Sequence, residues 1–203
     1  MRLQVLKRKY QDDAQLPQAL QLIQNDVNRG TQVLENLLLL ARLDPERTGQ
    51  LATQTINLKN LVQEALQALQ PFAEEKDIHW NLKLEDAVIE ANPELIFSCI
   101  RNLVDNAIRY TPQQGQVEIR TVIEQHQIQL LIENSGEGIA DEVLERLGER
   151  FYRALGTRTQ GSGLGLSICQ KIMALHAAKI DYAPSDLGGL KVSLSFEPDG
   201  KIS

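Results

Sequence analysis

The apolar pattern of this chain changes period once, at the polar stretch DPERTGQ, residues 44–50. Before it, Leu20, Ile23, Val27, Gly30, Leu34, Leu37 and Ala41 step alternately by three and four, a heptad seam with no strand pattern between Leu16 and Leu43. Leu38, Leu39 and Leu40 widen the stripe, which suits a helical bundle better than a two-stranded coil. A shorter helical piece precedes it, with Leu3, Leu6 and Tyr10 on one face. QDDAQLP reads as a turn between the two, with Pro17 in the first turn of the second helix. Two helices enclose no core, so the spacing predicts a hairpin that pairs with a second copy as a four-helix bundle. Packing of the hairpin on its own chain's remaining domain is the competing solution.

After the switch the periods mix. TQTINL, DIHWNLKL and AVIEAN read as strands, and LKNLVQEALQALQPFAEEK and PELIFSCIRNLVDNAIRY as helices. QVEIRTVIEQHQIQLLIEN predicts a hairpin turning near His126, and DEVLERL a short helix. Residues 164–176 predict another helix, and AKIDYAPS with GGLKVSLSFE a closing hairpin. That order predicts an α+β fold, a two-layer sandwich of mixed, mostly antiparallel sheet with helices on one face, behind a helical hairpin. The expected divisions are 1–45 for the hairpin, 46–52 for a linker, 53–198 for the α+β domain and 199–203 for a loose tail.

Hydrophobic residues make up 42% of the 203 and aromatic ones only 4%, so the core must be largely aliphatic. A net charge of −6 argues against nucleic acid as a main partner, since phosphate backbones need a basic stripe. Cys99 and Cys169 lie in apolar helical contexts and read as small core residues in a reducing compartment, not as a disulfide or metal pair. No apolar run reaches the roughly 18 residues of a membrane span, and no signal peptide opens the chain, so the segment is expected to be soluble.

Four stretches carry chemistry. In NLVDNAIRY, Asn102 and Asn106 are four apart and share a helix face with Arg109, while Phe97, Ile100, Leu103, Val104 and Ala107 fill the other. Amide oxygens are hard, neutral ligands that suit Mg²⁺, and an arginine beside them neutralises phosphate. Such a pair alone is more often a surface or capping feature. In IENSGEGIA, residues 132–140, a strand ends in a Gly-x-Gly turn, where backbone can approach a flat ligand and Asn134 can read a base edge. In GSGLGLSI, residues 161–168, alternating glycines run into a helix start, whose free N–H groups favour an anion. It is neither a P-loop nor a dinucleotide fingerprint, because no Gly-Lys-Ser/Thr follows and no βαβ unit surrounds it. Between these lies GERFYRALGTRTQ, a basic, polar segment with Arg150, Arg153 and Arg158 around Phe151 and Tyr152 that would suit a mobile cover.

In this order the four stretches resemble the ATP-binding catalytic domain of sensor histidine kinases, nearest the QseC-like, EnvZ-type class, within the gyrase, Hsp90 and MutL ATPase superfamily. NLVDNAIRY is similar to the family's N box, ENSGEGI to its G1 box, ERFYR to its F box and GSGLGLSI to its G2 box. The leading hairpin, ending in LLLLARLD, resembles part of the dimerisation and histidine-phosphotransfer domain. The resemblance implies that Asn106 ligates Mg²⁺ with Asn102 in support, and that Arg109 and Tyr110 contact phosphates or ribose. It implies that Asn134 faces the adenine amino group while Gly136, Gly138 and Ile139 line the base. Arg150, Phe151 and Arg153 would belong to the lid, and Gly161, Ser162, Gly163, Leu164, Gly165 and Leu166 to the phosphate cradle. The implied partners are ATP, a second copy of the hairpin and a cognate response-regulator receiver domain. A membrane would enter only through upstream parent segments, at the cytoplasmic side of the bacterial inner membrane.

Two departures qualify the resemblance. The family's acceptor histidine is followed by an acidic residue and soon by proline, and His79, His126 and His176 all lack that context. The chain is therefore expected to start just after the acceptor site and not to phosphorylate itself. The family also has aspartate where Asn134 stands. The competing reading is a catalytically silent module, with a weakened nucleotide site, that tethers a dimer or docks a regulator.

Overall fold

Two asparagines set where the two long helices begin. In the computed structural model, Asn57 caps α1 (Leu58–Glu75) by accepting from the Lys59 N–H at 3.0 Å. Asn92 caps α2 (Pro93–Tyr110) by accepting from Leu95 N at 3.1 Å, with Pro93 and Glu94 in the first turn where a missing N–H and a negative charge are favoured. The structure describes residues 51–124, 127–149, 152 and 163–197, all in one unit spanning Arg42–Ser203. The expected hairpin over 1–45, nearly all of the linker and the 199–203 tail lie outside the described residues.

The remaining elements are β1 (Gln54–Asn57), β2 (His79–Lys83), β3 (Val88–Ala91), β4 (Gln116–Glu124), β5 (Gln127–Ser135), α3 (Asp141–Leu144), α4 (Gly165–Leu175), β6 (Lys179–Pro184) and β7 (Gly188–Phe196). β1 and β3 form a small antiparallel pair. The main sheet runs β2-β4-β5-β7-β6, with β2 parallel to β4 and every other pairing antiparallel. The α+β expectation of a mixed, mostly antiparallel sheet therefore holds. The short helix is tighter than the sequence suggests, ending at Leu144 instead of Leu147.

Alternation sorts the sheet into two faces. Val117 and Ile119 on β4 stand opposite Asn134 and Ile132 on β5, and Ile132 and Leu130 stand opposite Val192 and Leu194 on β7. All are buried. The other face carries charge: Arg120 Nη2 donates to Glu133 Oε1 at 3.2 Å, Ser185 Oγ donates to Glu133 Oε2 at 3.0 Å, and Lys83 pairs with Glu118 at 3.2 Å. An antiparallel sheet with one face on the core and one facing water has this pattern.

The helices pack on the apolar face, and α2 is the central one, touching α1, α4, β5 and β7. It buries Ile96, Cys99, Ile100, Leu103, Val104, Ala107 and Ile108. Phe97, expected on that face, is only half-buried, although Val104 and Ile108, seven and eleven residues further along the same side of the helix, are buried. Each fully buried Leu or Ile contributes about 1.5–3 kcal/mol relative to exposure, as an upper figure. Cys99 and Cys169 are both free and buried between α2 and α4, where the Cys169 thiol donates to Cys99 O at 3.6 Å. No helix among the described residues is long and apolar enough to cross a membrane.

His176 ties the end of α4 to the start of α2. Its Nδ1 donates to Ile172 O at 2.7 Å, and its Nε2 accepts the Asn92 main-chain N–H at 3.0 Å. Only the neutral ring with the proton on Nδ1 can make both bonds. Burial lowers its pKa from the usual 6.5. The folded state thus binds the proton less well than the unfolded state. The stability His176 contributes is complete above about pH 6.5 and declines as pH falls toward its lower folded pKa. His176→Phe should melt lower than the unsubstituted chain at pH 7.5, and the gap in melting temperature should narrow by pH 5.

Candidate functional site

The polar face of α2 meets the start of α4. Gly165, the first residue of α4, lies so close that a Cβ there would sit 3.2 Å from Asn102 Oδ1 and 3.7 Å from Asn106 Nδ2. Asn102 Nδ2 donates to Ser98 O at 2.8 Å, which directs its oxygen toward α4. The two amides and the glycine are therefore neighbours across a helix–helix contact, although they are far apart in sequence. Leu164, just before the helix, is buried, and its carbonyl accepts from Ser167 Oγ at 2.8 Å and Ile168 N at 3.0 Å. Gly163 has φ 70°, a left-handed turn that glycine adopts without strain. Leu166 is half-buried. The first turn of α4 holds main-chain N–H groups without intrahelical acceptors, next to the Asn102 amide oxygen and the Asn106 amide nitrogen.

A second cluster lies at the other end of the same face. Arg109 Nε donates to Asp105 Oδ2 at 2.7 Å, an i,i+4 ion pair, and Tyr110 is exposed. A Cβ on Gly136 would lie 3.2 Å from Tyr110 O and 3.5 Å from Asn134 Nδ2. The end of β5 thus abuts the last turn of α2. Gly138 stands in open space and Ile139 is half-buried. Arg150, Phe151, Arg153, Gly161 and Ser162 lie outside the described residues.

Asn134 is seated differently from a side chain that simply faces a ligand. It is only 4% exposed; its Oδ1 accepts Leu190 N at 3.3 Å, and its Nδ2 donates to Ser135 O at 2.8 Å. The β5–β7 register shifts between Glu133 and Ser135, and the amide takes over a bond the ladder loses there. Its oxygen faces an N–H and its nitrogen a carbonyl, so the orientation is set by both partners. One N–H and one lone pair are left over from these two bonds.

Sequence reasoning missed three contributors. Asp105 was readable as the acidic residue four before Arg109. Gly189, which makes room for Asn134, sits far downstream, and only its place in a double glycine signals a close approach. Lys76 carries no motif at all.

Residues 91–200 match a family model described as histidine kinase-, DNA gyrase B-, and HSP90-like ATPase. The chain is 34% identical over 188 residues to the sensor protein QseC of Escherichia coli (strain K12), covering 91% of this chain and 41% of that protein. It is 35% identical over 174 residues to the sensor protein kinase PmrB of Pseudomonas aeruginosa, covering 85% and 36%. In structure it is similar to a nucleotide-free catalytic domain of the histidine kinase ThkA, with TM-score 0.66 and 28% identity over 73% of this chain and 97% of that one. The chain spans less than half the length of these sensor proteins.

Gly189 tests how Asn134 is held. A Cβ there would fall 2.3 Å from Asn134 O and 2.7 Å from Asn134 Nδ2. The first clash is with backbone and cannot be relieved by a rotamer change. Gly189→Ala should destabilise by about 2 kcal/mol, lowering the calorimetric melting temperature by roughly 4–8 °C.

Proposed function

The chain belongs to the histidine kinase-, DNA gyrase B- and HSP90-like ATPase family, and on that premise we propose that it is the ATP-binding catalytic region of a two-component sensor histidine kinase. In this reading it passes the γ-phosphoryl group of ATP to a histidine, for relay to a response-regulator receiver domain. The observation that carries the reading is the contact of Gly165 with Asn102 and Asn106, which sets a helix N-terminus against two amide side chains. A helix N-terminus favours phosphate, and amide oxygens suit the cation that accompanies it.

Mg²⁺ fits this donor set. The bare Cα of Gly165 leaves room beside both amides that a side chain would fill. Asn106 would hold the ion and Asn102 would support it. Held there, it would supply positive charge against a phosphate.

The chain's own residues do the rest by placement. The first turn of α4 would receive phosphate oxygens on its N–H groups, with Gly163, Leu164, Gly165 and Leu166 forming the near wall. Arg109, oriented by Asp105, adds positive charge at the mouth. Tyr110, Gly136, Gly138 and Ile139 would border the base and ribose, with Asn134 presenting its remaining N–H and lone pair to the base edge. By resemblance to the superfamily's ATP hydrolases, Asn102 takes the position of their water-activating glutamate, and an amide takes no proton from water at neutral pH. The γ-phosphoryl is thereby kept for a positioned acceptor, because its transfer needs mainly alignment and charge neutralisation. The heptad seam of residues 20–41 supports pairing of two copies.

Calorimetric titration with a non-hydrolysable ATP analogue tests the reading. Micromolar binding that depends on Mg²⁺ is expected; no binding up to millimolar ligand, on protein shown to be folded, overturns it. Asn134→Asp exchanges a neutral hydrogen bond to the base for a charged one, a difference of about 1 kcal/mol. It should raise the ratio of ATP-analogue to GTP-analogue affinity several-fold, and it should lower the melting temperature because the bond to Ser135 O is lost. An unchanged ratio would remove Asn134 from base recognition.

A further inference from the structure

Lys76 stands at the C-terminal end of α1, outside every motif that points to nucleotide. Its ammonium donates to three main-chain carbonyls: Ile108 at 3.0 Å, Arg109 at 2.6 Å and Thr111 at 2.8 Å. An ammonium has three N–H donors, so all of them are committed to the end of α2.

The end of α2 needs them. The last carbonyls of a helix have no intrahelical partner. Thr111 satisfies Ala107 O with both its main-chain N–H, at 3.1 Å, and its hydroxyl, at 2.6 Å. Pro112 then stops the helix. The carbonyls of Ile108 and Arg109 come next, and Lys76 takes both. A positive charge also favours a helix C-terminus. Burial, and then the guanidinium of Arg109, push the Lys76 pKa down, which places the two cations within each other's field. Nearby bonds extend the clamp. Gln114 N donates to Lys76 O at 2.9 Å, Gln113 Nε2 to Glu75 O at 3.3 Å, and His79 N to Gly115 O at 2.9 Å.

What the clamp holds is the turn of α2 that carries Arg109 and Tyr110. The Tyr110 carbonyl faces Gly136, with 3.2 Å between that oxygen and the place of an added Cβ. One wall of the site is thus the last turn of α2 and the facing wall is the end of β5. Asn134 is fastened to the sheet on the second wall. The α2 wall is set from behind by Lys76.

We infer that Lys76 is a positioning residue for nucleotide binding: by tying the carbonyls of Ile108, Arg109 and Thr111 it holds the last turn of α2 at the spacing from Gly136 that the base and ribose require. This rests on the nucleotide-site reading above. Lys76 itself touches no ligand, since its three donors are spent on backbone.

The test is titration of the non-hydrolysable ATP analogue with Mg²⁺ into the unsubstituted chain and into Lys76→Met, Lys76→Gln, Lys76→Arg and His176→Phe. Each is measured at a temperature where its melting curve shows it fully folded, so lost stability alone leaves Kd unchanged. His176→Phe loosens α2 at its opposite end and is the control. Lys76→Met should weaken binding about tenfold, Lys76→Gln by an intermediate factor, and Lys76→Arg should recover most of the affinity. His176→Phe should bind like the unsubstituted chain. If Lys76→Met does not fold, Lys76→Gln carries the comparison. The inference is overturned if the Met and Gln variants bind as tightly as the unsubstituted chain, or if His176→Phe weakens binding as much as they do. Failure of the unsubstituted chain to bind overturns the nucleotide reading, and this inference with it.

Discussion

The burial of α2 against α1, α4 and the sheet sets the direction of everything on its exposed side. Seven apolar residues leave the helix one rotation about its axis at which they are all covered. Turning it by a single residue, about 100°, would drive an amide into the core. A buried amide without partners costs about 1–3 kcal/mol, and an Ile or Leu turned out to water loses a comparable amount. Asn102 and Asn106, half-buried beside that stripe, are thereby set against the start of α4. The core, not the polar residues, decides where the polar residues point.

Position along the axis is set by different means at the two ends. At the start, Asn92 caps the helix with its side chain while its own main-chain N–H is held by His176. At the finish, Thr111 and Lys76 divide the last carbonyls between them. Between these anchors the neighbouring segments come close by omitting side chains. Gly165 does so against the amides, Gly136 against Tyr110, and Gly189 against Asn134. Close approach through glycine leaves main-chain N–H and carbonyl groups, instead of methyl groups, lining the space, which suits a polar, multiply charged ligand.

The bounds of α2 were readable because its signals are local: Asn92 and Pro93 at the start, Pro112 after the end, and a helical period between. The exact membership of its buried stripe was less so. Phe97 fits the apolar pattern as well as Ile96 does, yet Ile96 is buried and Phe97 only half so. Asn134 shows the same limit more sharply. Its place at a strand end before Gly-x-Gly marks it as polar and special. Its bonds to Leu190 N and Ser135 O depend on a strand that follows much later in the chain. Lys76 ends a helix like many exposed lysines, and its three acceptors arrive from another element. Local chemistry can be read from local sequence; a partner supplied by tertiary packing cannot.

The two thiols buried between α2 and α4 give this arrangement an internal clock. Cys99 and Cys169 are inaccessible, and burial raises the pKa of Cys169 well above the ordinary thiol value. A thiol reagent needs both access and thiolate, so neither sulfur reacts while the two helices are in contact. Any excursion that parts α2 from α4 exposes both at once. It does so at the seam where Gly165 meets the asparagines. Labelling in the native state therefore proceeds at the frequency of that opening multiplied by the chance of capture before reclosure. The chain thus carries its own recorder of how often the two halves of the site separate, and needs no added probe.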